Sequence, residues 1–112
     1  MVPSLTKRQR SKLRELAGRA HARALARAMS ELRERFQRWS GSEDGVFEVN
    51  DFVHKFHNET SRELYTRYVT APAEFAVIDA LRHGILRLEE VGEELVVAIG
   101  FMVEDIKSAR DA

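Results

Sequence analysis

Two of the chain's four histidines, both of its tyrosines and several carboxylates fall within the twenty residues 49–68, V-N-D-F-V-H-K-F-H-N-E-T-S-R-E-L-Y-T-R-Y. His54 and His57 stand one helical turn apart, so both rings can reach one flank of a helix and share a proton or a metal ion. Glu63, Tyr65 and Tyr68 follow, and the five residues define a candidate polar pocket beside the apolar wall of Phe52 and Phe56. A histidine in such a pocket titrates near neutral pH and can bond to a carboxylate or a phenol, which serves a structural contact as readily as acid–base catalysis. The spacing lacks the carboxylate that helical metal motifs of the H-E-x-x-H kind add at a fixed offset. The expectation is therefore no catalytic residue, no metal ligand and no cofactor, with His57 packing and His54 solvated. A small enzyme or metal-binding protein using His54, His57 and Glu63 is the alternative.

The element that must position this stretch is helical. Val49, Phe52, Val53 and Phe56 share one face at a period of 3.6, with His57 at its edge. Beyond Asn58, Thr60 and Glu63 have the spacing of a capping box, which predicts a new helix start and a break near Asn58. The rival reading is one helix from about Glu48 to Val69, because Val53, Thr60, Leu64 and Tyr68 also form a single drifting stripe.

Residues from about Thr6 to Ser40 form the longest periodic segment, free of proline and rich in Ala, Leu, Arg and Glu. Thr6 or Ser4 can cap it. Its apolar stripe changes direction: Leu13, Leu16, Ala17 and Ala20 lie on one face, and Leu25, Met29, Leu32, Phe36 and Trp39 centre on another, so one helix is expected to meet two partners. The small residues of A-G-R-A-H-A-R-A-L-A-R-A let a neighbour approach closely, and His21 reads as a half-buried packing histidine. Pro72 opens a further helix carrying Phe75, Val77, Ile78 and Leu81, which ends at Gly84 as a left-handed cap with Ile85 supplying the accompanying hydrophobic contact. Leu88 to Arg110 reads as a last helix, apolar on more than one side, with Gly92 and Gly100 as weak points.

The linker G-S-E-D-G, residues 41–45, separates the first two helices. Counted from Ser40, it places Gly45 sixth, Phe47 eighth and Asp51 twelfth, and so resembles an EF-hand loop over one helix–loop–helix. Ser40 and Ser42 stand where that family places carboxylates, and Asp51 replaces the bidentate Glu. The resemblance thus implies the turn between two helices without the oxygen charge that holds calcium.

These patterns give an all-α fold: one domain, 1–112, a compact bundle of about five helices with the long N-terminal helix as spine. The absence of cysteine excludes disulfides and thiolate chemistry and fits a cytoplasmic protein. The start lacks the apolar run of a signal peptide, and the longest apolar stretch, Leu95 to Val103, is too short to span a bilayer, so no membrane association is expected. The net charge is zero, yet residues 1–40 carry eleven Lys/Arg against three Asp/Glu and residues 41–112 carry seven against fifteen. Opposite halves of this kind attract within one fold or between two copies. The expected function is a non-catalytic interaction or assembly module, homodimeric and able to bind a protein partner, with Leu95, Ile99, Met102 and Ile106 as the candidate dimer interface. A nucleic-acid-binding role for Arg19, Arg23 and Arg27 on the basic first helix is the alternative, disfavoured because the domain is neutral and its aromatics do not interleave with the arginines.

Overall fold

A computed structural model of the chain describes residues 5–100. Six α-helical segments account for most of them: α1 Lys7–Arg38, α2 Val46–Lys55, α3 Arg62–Tyr65, α4 Ala73–Arg82, α5 Leu88–Val91 and α6 Glu93–Ala98. The described residues contain no β-strand, and no helix among them is long and apolar enough to cross a membrane. The fold is all-α with α1 as its spine, as the periodicity predicts.

Helix α1 begins where its sequence can satisfy its first amides. Gln9 N donates to Thr6 Oγ1 at 3.0 Å and Thr6 N donates to Gln9 Oε1 at 2.9 Å, a reciprocal capping box. At about 1.5 Å per residue the helix runs for roughly 48 Å and is the longest element among the described residues. Its first half buries Leu13, Leu16, Ala17, Ala20 and Ala24. Helix α4 packs along this half and buries Ala76, Val77, Ile78, Ala80 and Leu81, so alanines line the contact from both sides. Small side chains at a helix crossing allow the axes to approach closely. Phe75, expected among the apolar residues of this helix, is instead 54% exposed, because the alanine face of α4 has turned inward.

The stretch between α2 and α4 corrects one expectation. Asn58 does not break the helix: residues 46–70 are one unbroken helical rod in which two π-helical segments, Phe56–Ser61 and Thr66–Thr70, flank α3. Neither Thr60 nor Glu63 makes a cap, and the backbone at each junction keeps right-handed helical angles. The cause lies in the stripe. Phe56, Thr60 and Leu64 are half-buried and Tyr68 is buried, a spacing of four throughout. In an α-helix a repeat of four drifts by about 40° per step, so three steps would swing the last residue about 120° off the core face. The wider π turns, closed by i to i+5 bonds such as Ala71 N to Thr66 O at 3.2 Å, hold more residues and cancel the drift.

Helix α4 ends as its sequence predicts. Gly84 takes φ +68°, Gly84 N donates to Leu81 O at 3.2 Å and Ile85 N donates to Ala80 O at 2.8 Å, the two bonds of a Schellman motif, and Ile85 is buried behind it. A Cβ on Gly84 would meet no neighbour, so the cost of Gly84→Ala is conformational. It is expected to be about 1–2 kcal/mol, read as a lower midpoint in thermal or urea unfolding.

The last apolar stretch differs from the expected single helix. Gly92, at φ +91° and ψ +144°, breaks it into α5 and α6. The break lets Val91, Leu95 and Ile99 all reach the core shared with Leu13, Leu16, Tyr68, Leu81 and Leu86. Leu95 and Ile99, each 6% exposed, are thus occupied by the chain's own interior and are not available as a dimer interface. Met102 and Ile106 lie outside the described residues.

The core occupies one end of the molecule. Past Ala24, α1 has no buried residue, and α2 has one, Val49. The distal half of α1 and the facing α2 therefore continue as a two-helix arm, giving extents of 60 × 31 × 19 Å and a radius of gyration of 17.7 Å. A compact domain of 100 residues would have about 13 Å. Helix α1 contacts both α4 and the helical rod that contains α2.

Candidate functional site: a polar brace and an apolar arm

The five residues expected to share a pocket occupy different surroundings. His54 and His57 are exposed, so His57 does not pack as expected. Tyr65 is 52% exposed and meets His21 edge-on, with ring centroids 6.3 Å apart; His21 is half-buried, in the packing role expected of it. Glu63 accepts a bond from Arg67 Nη2 at 2.6 Å. Tyr68, 3% exposed, has its hydroxyl pKa raised by burial and by the nearby Asp79 carboxylate, against the opposing influence of Arg67. No group of three or more His, Asp or Glu among the described residues is placed to hold a metal ion.

The polar groups that do converge sit where the second π segment meets α4. Arg67 Nε lies 3.7 Å from Asp79 Oδ2, an atom shielded from solvent that accepts no hydrogen bond. His83 Nδ1 lies 2.8 Å from the Asp79 carbonyl and 3.5 Å from its Oδ1. A shallow groove of about 410 Å³ opens beside them, lined by Thr66, Arg67, Phe75, Asp79 and Arg82 among others. Arg67 bonds to Glu63 and faces Asp79, and the His83 ring lies beside Asp79. These contacts brace the long helical rod against α4. Glu63 and Tyr68 were visible as candidates, and the Glu63/Arg67 and Asp79/His83 pairs follow the spacing i,i+4 that signals helical neighbours.

A second ionic cluster fixes α5 to α1. Glu90 accepts from Arg23 at 2.6 Å and 2.5 Å through both carboxylate oxygens, and also from the amide of Arg87 at 2.9 Å. Arg23 donates further to the carbonyl of Ile85 at 3.1 Å, and Arg19 stands 3.6 Å from Glu90. The Arg23 guanidinium, followed by the Arg87 amide, lowers the Glu90 pKa from 4.5 to about 2. Two of the three arginines expected to form a nucleic-acid face are thereby engaged inside the fold; Arg27 is exposed.

The EF-hand-like linker folds as a tight turn with its own bonding, with Gly41 and Gly45 both at positive φ. The Trp39 indole Nε1 donates to the carbonyls of Ser42 at 3.0 Å and Asp44 at 3.1 Å, while Ser40 Oγ and Ser42 Oγ share a bond of 2.7 Å. Helix α2 already starts at Val46, so Asp51 sits inside a helix instead of closing a twelve-residue loop. Liganding positions in that loop are thus replaced by indole and hydroxyl contacts.

Above this turn the arm carries large apolar side chains in the open. Phe47 is 78% exposed, Met29 48% and Phe36 45%. Phe36 meets Trp39 edge-on with centroids 6.3 Å apart, and Arg35 lies over the ring of Phe52 at 5.3 Å. Two helices alone cannot enclose these groups, because each covers only one side of the other. The alternation of Leu25, Met29, Leu32 and Phe36 was legible in the sequence. That no third helix among the described residues covers it follows only from the π-turned path of residues 46–70, which carries residues 71–100 back to the first half of α1. The chain matches no protein-family model, no curated protein and no solved structure.

Proposed function

We propose that this chain is a non-catalytic helical assembly module whose docking element is the arm formed by the distal half of α1 and by α2. The observation that carries the reading is the exposure of Phe47, Met29 and Phe36 on an element outside the core. Met29 and Phe36, seven residues apart on one flank of α1, form an exposed apolar pair of the kind that marks association surfaces, and full burial of a large apolar side chain is worth about 1.5–3 kcal/mol. The core, with its brace and its Glu90 cluster, holds the arm in place and has no part in contact itself. Arg19 and Arg23 are spent on Glu90, which favours a protein partner over nucleic acid. Closed two-fold dimers are the commonest assemblies of soluble proteins, so a homodimer is the first form to seek.

Light scattering at micromolar concentration is expected to return a mass above that of one chain. The double variant Met29→Asp, Phe47→Asp should keep its helical circular dichroism and cooperative unfolding but run as a monomer. Unchanged association in that variant would remove the arm from the interface.

A further inference from the structure

Residues 7–14 of α1 hold five Lys/Arg and no Asp/Glu, and the helix sorts its cations onto two flanks. At about 100° per residue, Arg8, Lys12, Arg19 and Arg23 fall within about 60° of one another. Acids answer that flank. Glu15 lies 3.7 Å from Lys12 and 3.4 Å from Arg19, Glu90 holds Arg23 and stands 3.6 Å from Arg19, and Glu93 and Glu94 line one cleft with Arg8 and Lys12. Lys7, Arg10 and Arg14 also fall within about 60° of one another, but on the far side of the buried Leu13 and Leu16. All three are exposed, and among the described residues none takes part in an ion pair within 4 Å. Arg10 Nη1 donates to the carbonyl of Leu5 at 2.6 Å, which holds the guanidinium beside the helix start without neutralising it.

This unanswered flank leads to an aromatic ring. His21 follows Arg14 by seven residues, about two turns, with a drift of only about 20°. Its ring meets Tyr65 edge-on with centroids 6.3 Å apart. Tyr65 is 52% exposed, and Arg62, one turn earlier on α3, is exposed and has no ion pair among the described residues. Between Arg14 and His21 stands Gly18, exposed and with nothing within 4 Å of the place of a Cβ, so the described part of the chain leaves the stripe uncovered there.

We propose that this stripe, running from Lys7, Arg10 and Arg14 to Tyr65 and Arg62, binds the phosphate backbone of a single-stranded nucleic acid with a base stacked on Tyr65. A row of cations without carboxylates complements a repeating negative charge, and an exposed ring beside it is the platform on which unpaired bases stack. The sequence disfavours nucleic acid because no aromatic interleaves with the arginines of α1, yet on this flank the fold brings one in from another element. Arg19 and Arg23 lie on the answered flank and take no part. Nor does the arm, so failure of either contact would leave the other standing.

Fluorescence anisotropy with a labelled single strand of about fifteen thymidines should give a micromolar dissociation constant at about 50 mM salt, with log affinity falling against log salt at a slope of about −2 to −3 for three or four phosphates. Lys7→Gln with Arg14→Gln, both at exposed positions, should keep the helical circular dichroism and flatten that slope by about 1.4. Arg8→Gln with Lys12→Gln removes the same charge from the other flank and should leave the slope unchanged. Tyr65→Leu should weaken binding at least about fivefold at every salt concentration without altering the slope. No binding at about 50 mM salt, or equal flattening by the two pairs of variants, would overturn the stripe. An unchanged affinity in Tyr65→Leu would overturn the single strand as its occupant. So would tighter binding to phosphatidylserine vesicles that the Lys7 and Arg14 variant loses, a result that would assign the stripe to an anionic membrane.

Discussion

Leu16→Ala is expected to lower the free energy of unfolding by about 2–5 kcal/mol, the range for deleting a buried leucine side chain from a packed interior. Leu16 is 0% exposed and lies where α1, α4 and the α5–α6 segment share one core. Whole domains have only about 5–15 kcal/mol to lose, so urea unfolding should show a large fall in midpoint at unchanged slope. The same measurement on Phe47→Ala should stay within about 0.5 kcal/mol for the monomer, because that side chain is 78% exposed and packs little. The contrast separates the end of the molecule that holds the fold from the end that projects. A loss below 1 kcal/mol at Leu16 would mean that α1 and α4 do not pack as described.

The second large effect is acid sensitivity centred on Glu90. Its folded pKa of about 2 lies below its ordinary 4.5, so the native state favours the ionised carboxylate. A depressed carboxylate contributes stability that is fully present above pH 4.5 and is lost as pH falls through about 2. Glu90→Gln keeps the shape but removes the charge that Arg23 and the Arg87 amide hold. The variant should be less stable than the parent by a constant margin from neutral pH down to about 4.5, and the two curves should converge between there and about 2. A margin that stays constant to pH 2 would place the acid sensitivity on other carboxylates.

Much of this architecture was legible from local pattern. Thr6 as a cap, Gly84 with Ile85, and the change of face along α1 each announce themselves over a few residues, because capping, chirality and helical period act locally. The path of residues 46–70 was legible only as the rival reading: Thr60, Leu64 and Tyr68 mark the stripe of a single helix, but the Thr60/Glu63 spacing imitates a capping box and nothing local announces the π turns. Arg23 and Glu90 stand 67 residues apart, and nothing in either neighbourhood points to the other before the chain is folded. The candidate site divides in the same way. The apolar run on distal α1 is periodic and visible, but its exposure depends on where later helices go, as does the burial of Leu95 and Ile99.

A two-helix arm with no third layer among the described residues has a consequence for how association would be measured. Its amides are held by backbone bonds that few buried contacts protect, so in the isolated chain they should exchange with solvent through local opening, whereas those of α4 should exchange only when the whole core opens. Ordering the arm and covering it are then coupled, and part of the contact energy goes into suppressing that opening. The apparent dissociation constant will understate the strength of the contact, and a substitution that stiffens an arm helix without touching its apolar face will tighten binding.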